Sequence, residues 1–145
     1  MIYFDTSILV PLLIPEPSSD RVRQLIDRQR GGTLATSHWT RAEFSSMLAR
    51  EVRMGKYKEF FASKVDAQFE SAIRSGFTIY LPGLADFEAA KQFVLRYESG
   101  LRAGDALHLA IARNNNAQAI YSLDDKMIRA GKLLGLPVSR GIRGK

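Results

Sequence analysis

The chain has 145 residues, 46% of them hydrophobic and 25% charged, with a formal net charge of +6 and no cysteine. These values predict one globular domain spanning residues 1–145, and they exclude disulfide bonds, thiol nucleophiles and thiolate metal sites. No stretch approaches the roughly 20 apolar residues that span a bilayer. The positive charge favours a polyanionic partner such as nucleic acid, with an ordinary soluble basic protein as the equal alternative.

The first residues, MIYFD, are mostly apolar up to Asp5 and do not form the basic leader that begins a secretory signal. The absence of cysteine also suits a reducing compartment. We therefore expect a cytoplasmic protein.

Short apolar runs alternate with helical patterns along the chain, which predicts alternating strands and helices. Capping residues and glycines give the approximate bounds of each element. The predicted strands are Ile2–Phe4, TLATS (33–37), FTIYLP (77–82), AIYSL (119–123) and LPVS (136–139). The predicted helices run from about Ser18 to Gly31, Thr40 to Met54, Tyr57 to Arg74, Leu84 to Glu98, Asp105 to Arg113 and Asp124 to Gly135.

This alternation is typical of a parallel sheet covered by helices on both faces. Such sheets place their chemistry at the carboxyl ends of the strands. Asp5 directly follows the first strand, and Asp124 comes just after the fourth. We therefore expect both carboxylates at one edge of the sheet.

Two further acids also have unusual neighbours. Glu43 stands beside Phe44 and borders the apolar stripe of its helix, while Asp105 is the only acid in the apolar segment AGDALHLAIA. Burying an unpaired carboxylate is costly, so such residues call for an explanation. The four acids Asp5, Glu43, Asp105 and Asp124 are candidates for one shared site.

Each acid also has a purely structural interpretation. Asp5 could cap the turn after its strand, and Asp105 or Asp124 could be the N-cap of the helix that follows it. Thr40 and Glu43 match the capping-box pattern, in which the Glu side chain serves only the helix start. For Glu43 and Asp124 this local interpretation is the stronger one when either residue is taken alone. Taken together, the four acids favour one shared functional site over four separate helix or turn caps.

Carboxylates gathered in one cleft repel one another, and some take up protons unless a cation neutralises them. An all-oxygen site suits Mg²⁺ or Mn²⁺, whereas zinc is disfavoured by the absence of cysteine. The two histidines, His38 and His108, share no ligand spacing with the acids, and a hydrogen-bonded core-edge role is preferred for His108. A metal held by carboxylates would support phosphodiester hydrolysis by water.

FDTSIL, the isolated acid in AEF, LRAGDALHLAIA and YSLDDKMIRAG together resemble the PIN domain, from about Ile2 to Val138. Within that superfamily they are most similar to VapC, the ribonuclease toxin of VapBC toxin–antitoxin modules. The resemblance implies a three-layer α/β/α sandwich with a mostly parallel central sheet. It also implies Mg²⁺, for which Mn²⁺ can substitute.

The resemblance implies roles for individual residues as well. The catalytic and metal-binding acids fall on Asp5, Glu43, Asp105 and Asp124. Ser7 and Ser122 are expected to orient carboxylates or metal-bound water, and Asp125 is a candidate for a water-mediated role. One or two metal ions, and transfer, ribosomal or messenger RNA as the target, are all compatible with these residues.

The resemblance further implies a homodimer that is silenced by a VapB-like antitoxin. The apolar segments ILVPLLI (8–14) and YKEFFASKV (57–65) are candidate contact surfaces, although most of their residues are expected in the core. The basic tail, residues 139–145, is expected to be a frayed terminus or an RNA contact.

Other functions remain open at this point. A housekeeping PIN nuclease that matures RNA is the main alternative. An aspartyl phosphatase needs a second aspartate two residues after the first, where this chain has Ser7. A non-catalytic nucleic-acid-binding module would use the acids only as helix caps.

Overall fold

The computed structural model describes residues 1–143 and has a five-stranded sheet at its centre. Every pair of neighbouring strands is parallel, and the order across the sheet is β3-β2-β1-β4-β5. The strands are β1 (Ile2–Phe4), β2 (Leu34–Ser37), β3 (Thr78–Tyr80), β4 (Ala119–Tyr121) and β5 (Val138–Ser139). The predicted parallel sheet is therefore confirmed.

Helices connect the strands and lie on both faces of the sheet. They are α1 (Thr6–Leu13), α2 (Ser19–Asp27), α3 (His38–Arg53), α4 (Glu59–Gly76), α5 (Leu84–Leu95), α6 (Ala103–Asn114) and α7 (Asp125–Leu133), with a 3₁₀ turn at Tyr97–Ser99. None of the helices in residues 1–143 is both long enough and apolar enough to cross a bilayer.

Two core clusters, one on each face of the sheet, make the fold a three-layer sandwich. Tyr3 packs with α5, α6 and α7, whereas its neighbour Phe4 packs with α1 to α4. Successive strand side chains point to opposite faces, so a short apolar strand can serve both clusters. The expected α/β/α architecture is confirmed.

Helix α1 differs from the prediction, which placed no helix between Asp5 and Ser18. The run Ile8–Leu13 is apolar all round, so it has no helical period, and Pro11 is disfavoured inside a helix. The helix forms because Ile8 and Leu9 are completely buried and because Asp5 caps its start. Tertiary packing here outweighs local propensity.

The described part of the tail contacts the body of the protein. Ile142 packs against the core cluster around Phe4. Arg140 pairs with Asp125 at 2.8 Å. Arg21 donates to the carbonyl oxygen of Arg143. Residues 144–145 lie outside the described residues.

Candidate active site

Asp5 is a buried carboxylate at the carboxyl end of the central strand β1. Its Oδ1 accepts hydrogen bonds from Ser7 Oγ at 2.7 Å and from the Ile8 amide at 3.2 Å. Its Oδ2 accepts from Ser122 Oγ at 2.7 Å. Burial raises the pKa of Asp5, while the charge of His108 and these hydrogen bonds act in the opposite direction. Asp5 thus caps α1 and also faces the end of β4.

Glu43 does not take part in a capping box, so that interpretation is wrong. Ser37 is the N-cap of α3, and its side chain accepts from the Thr40 amide. The Glu43 Oε1 atom instead accepts from Thr6 Oγ1 at 2.6 Å and contacts His108 Nε2. Burial would raise the pKa of Glu43, but the hydrogen bond and charge of His108, together with Thr6, lower it below its ordinary value.

Asp105 lies in the first turn of α6 and is not its N-cap, which is Arg102. Its carboxylate is half-buried and has no hydrogen-bond donor among residues 1–143. Burial raises the pKa of Asp105 to about 6, and the negative charges of Asp124, Asp5 and Glu43 add to that rise. The structure therefore brings the other three predicted acids within electrostatic range of Asp105.

Asp124 is the N-cap of α7, as its structural interpretation predicts. Its Oδ1 accepts from the Lys126 amide at 2.9 Å and the Met127 amide at 3.3 Å. Ser122 Oγ accepts from the Asp124 amide at 3.0 Å, which links this acid to the serine that holds Asp5. Capping uses one oxygen of the carboxylate and leaves Oδ2 without a donor among the described residues.

Asp125 lies apart from this group. Its side chain is 75% exposed and pairs with Arg140 on the outer surface. It is also not among the acids whose charge raises the pKa of Asp105. The structure therefore does not bring Asp125 to the other four acids.

A cleft of about 350 Å³ opens between Asp105 and Asp124. Asp105 and Asp124 line it together with the cationic side chains of Arg102 and Lys126. Acidic groups at the floor and basic groups at the rim suit a phosphate-bearing ligand, because the cations attract the backbone that the acids would repel.

The donor set fits a hard divalent cation. Every candidate ligand is a carboxylate oxygen. Burial raises the pKa of Asp105, repulsion by the other acids adds to that rise, and a cation would relieve this repulsion. Within residues 1–143, no group of three or more His, Cys, Asp or Glu side chains is already arranged to hold a metal ion. An ion at this site would therefore complete its coordination with water, as Mg²⁺ and Mn²⁺ do.

Three polar residues beside the acids were not predicted as site residues, although the hydrogen-bonded role expected for His108 is confirmed. Thr6 and His108 both contact Glu43, and Tyr3 lies behind His108 with its hydroxyl 2.8 Å from Nδ1. A signal was present, since His108 lies three positions after Asp105 and thus on the same face of α6. A buried histidine on an apolar helix is nevertheless an ordinary core feature, which hid its connection to Glu43.

Comparisons with known proteins bear on the fold and the family of the chain. No curated protein sequence matches the chain. The toxin VapC20 of Mycobacterium tuberculosis, described as cleaving the sarcin–ricin loop, is 21% identical, with a TM-score of 0.70 over 90% of this chain and 95% of its own. FitAcB from Neisseria gonorrhoeae is 18% identical, with a TM-score of 0.77 over 97% and 98%. VapBC-1 from nontypeable Haemophilus influenzae is 15% identical, with a TM-score of 0.70 over 97% and 98%.

These identities are low, so the solved structures establish a shared fold. The sequence itself supplies the stronger link, because the model of the PIN-domain family matches residues 2–133. That span includes all four acids and every strand except β5. The chain therefore belongs to the PIN-domain family.

Proposed function

We propose that this chain is a divalent-metal-dependent endoribonuclease. Residues 1–145 would form a single catalytic domain of the VapC type, acting in the cytoplasm as the toxin of a type II toxin–antitoxin pair. The observation behind the proposal is the half-buried carboxylate of Asp105, which shares a cleft with Asp124. Burial raises its pKa, and the negative charges of Asp124, Asp5 and Glu43, from three other parts of the chain, add to that rise. Such a cluster is costly without a cation, and clustered perturbed acids are typical of functional sites.

Asp5, Glu43, Asp105 and Asp124 would hold Mg²⁺, or Mn²⁺ in its place. When bound, the metal would lower the pKa of water and stabilise charge on the phosphodiester oxygens. All four acids have an oxygen with at most one donor among the described residues, so each can turn a lone pair toward a cation.

The surrounding residues would position the reactants. Ser7 and Ser122 each donate to one oxygen of Asp5. Together they would set the orientation of the carboxylate plane and hence the direction of its lone pairs. Arg102 and Lys126 would bind the RNA backbone at the rim of the cleft. Asp125, paired with Arg140, would influence the substrate through its surface charge only.

The proposed toxin role is supported by the similarity of this fold to solved structures from toxin–antitoxin pairs. The structures of FitAcB and VapBC-1 named above carry the names of two-component complexes, and another similar structure is titled as a toxin–antitoxin complex from Klebsiella pneumoniae. A VapB-like antitoxin needs an exposed apolar surface, and Phe60 and Phe61 on α4 are 83% and 39% exposed. By contrast, Ile8, Leu9 and Ile14 of the segment 8–14 are buried.

A homodimer would use a second apolar surface. Leu84, Phe87 and Leu95 form an exposed stripe along α5, and the preceding Leu81 is 78% exposed. An apolar cavity of about 640 Å³ lies beside this stripe, between α5 and Trp39. Exposed patches of this kind are typical of protein–protein contacts.

Cleavage of RNA by the purified protein tests the proposed function. We expect cleavage with added Mg²⁺ or Mn²⁺, none after EDTA, and a loss of at least about 100-fold for Asp5→Asn and Asp105→Asn. Asp125→Asn is the matched control, because it removes the same charge from an acid outside the cluster. Cleavage that survives both EDTA and Asp5→Asn would refute the mechanism.

A further inference from the structure

We infer that His108 and Tyr3 are positioning residues, which hold Glu43 so that only its Oε2 atom is available to a metal ion. The inference rests on the ribonuclease function proposed above, and it assigns a purpose to a buried polar chain that the four acids alone do not explain.

The chain of polar contacts runs through the interior of the protein from β2 to the site. Tyr3 Oη lies 2.9 Å from Ser37 Oγ and 2.8 Å from His108 Nδ1. On the other side of the imidazole ring, Nε2 contacts Oε1 of Glu43. Tyr3 is completely buried and His108 is 1% exposed, so water does not compete for these contacts.

The protons in this chain can be arranged in two ways. The hydroxyl of Tyr3 has one hydrogen, which it donates either to Ser37 or to His108 Nδ1. If Ser37 receives it, Nδ1 must donate to Tyr3; if Nδ1 receives it, Nδ1 is unprotonated. In both arrangements Nε2 must carry a proton, because a bare nitrogen lone pair against the Glu43 carboxylate would be repulsive. His108 therefore donates from Nε2 to Glu43.

This donation fixes which oxygen of Glu43 remains open. Oε1 accepts from both His108 Nε2 and Thr6 Oγ1, so its lone pairs are occupied. Oε2 has no donor among the described residues. It points toward the start of α6, where a Cβ atom added to Gly104 would lie 3.3 Å from it. Gly104 directly precedes Asp105, so the open oxygen lies beside the turn of α6 that carries the next acid of the site.

Glutamate has three rotatable side-chain bonds, and a ligand that must be immobilised on binding loses affinity. Tyr3 orients the imidazole ring, the ring orients Oε1, and the Glu43 carboxylate is thereby ordered before an ion arrives. Partners of this kind typically change metal affinity by about 10- to 100-fold when removed.

Mn²⁺ binding measured by calorimetry on the full chain tests the inference without reference to cleavage. We expect His108→Leu to weaken binding by about 10- to 100-fold. His108→Gln should retain most of the affinity, because its amide can donate toward Glu43 from nearly the place of Nε2. His38→Gln is the matched control, since it alters the other, exposed histidine, and wild-type affinity is expected. Equal affinities for His108→Leu and the wild type would overturn the inference.

Nitrogen-15 NMR of the histidine rings gives a second test that needs no variant to fold. The His108 Nε2 of the wild type should carry a slowly exchanging proton. As a separate check on Tyr3, the variant Tyr3→Phe should speed the exchange of that proton and weaken Mn²⁺ binding several-fold. An unprotonated Nε2 would overturn the inference. A wild-type protein that neither binds Mn²⁺ nor cleaves RNA would instead refute the proposed function, even if Nε2 is protonated as expected.

Discussion

Ser122 and Asp5 are joined by a hydrogen bond of 2.7 Å, although they lie at opposite ends of the chain. Strand β1 pairs with β4, with Phe4 opposite Tyr121, so the residue that follows each strand arrives at the same edge. Ser7 Oγ lies 3.2 Å from Ser122 Oγ and holds the other oxygen of Asp5. Two hydroxyls thus hold one buried carboxylate from both sides.

Ser122→Ala should therefore reduce RNA cleavage by about 10- to 100-fold. It should also lower the free energy of unfolding by about 1–3 kcal/mol, because a buried carboxylate oxygen loses its donor. Cleavage assays and urea denaturation measure the two effects. Ser75→Ala, at an exposed position on α4, should change stability by less than about 0.5 kcal/mol. Unchanged cleavage by Ser122→Ala would show that Asp5 does not need this donor.

The raised pKa of Asp105 predicts a pH-dependent stability for the metal-free protein. The folded-state pKa is about 6, above the value of about 4 for an unfolded aspartate. A group of this kind stabilises the fold below the unfolded value, and that contribution is lost as the pH rises through the folded value. Asn at position 105 cannot ionise. The melting temperature of Asp105→Asn, relative to that of the wild type, should therefore rise between pH 4 and pH 7.

Thermal melts in EDTA check this expectation. Asp125→Asn serves as the control, and its melting temperature should run parallel to that of the wild type. Parallel curves for Asp105→Asn as well would mean that burial and the neighbouring acids do not raise the pKa of Asp105.

The core cluster around Phe4 contains a stacked aromatic pair, and removing either ring should lower the stability of the fold. Phe44 and Phe69 stack with ring centroids 3.9 Å apart, and both are almost completely buried. Phe69→Ala should reduce the free energy of unfolding by about 3–5 kcal/mol, through lost burial and the cavity left behind. Phe60→Ala removes the same ring from an 83% exposed position on the same helix and should cost little. Equal effects in denaturation experiments would contradict this packing.

The apolar stripe on α5 predicts the assembly of the free protein. We expect the wild type to sediment as a dimer, and Phe87→Glu to sediment as a monomer, because a charge would be buried at the contact. Gln92→Glu adds the same charge at another exposed position of α5 and should remain dimeric. A dimeric Phe87→Glu variant would mean that dimers, if formed, use another surface.

Much of the fold could be predicted because the hydrophobic pattern and the fold agree. The strands fall where apolar runs were found, and the alternation of strands and helices implies the parallel sheet. Helix α1 could not be predicted in this way, since its stability comes from burial of Ile8 and Leu9 against other elements. The interpretation of Asp5 as a cap was right in part, because Asp5 caps a helix where only a turn was expected.

The site shows where single-sequence reasoning is limited. Capping was the stronger local explanation for both Glu43 and Asp124, but the structure bears it out only for Asp124. The difference lies in Ser37, which caps α3 one turn earlier and frees Glu43 for Thr6 and His108. A competing cap three residues upstream of Thr40 is a signal that local patterns could have used. The contact with His108 depends on the docking of α3 beside α6, which no local pattern encodes.

The strand order has a consequence for synthesis on the ribosome. Because β4 lies beside β1, Asp5 meets Ser122 only after the 117 positions that separate them have been translated. A nascent chain that has emerged only as far as α6 lacks the strand and helix that bring in Ser122 and Asp124. The group of four acids is therefore complete only once β4 and the start of α7 have joined the sheet.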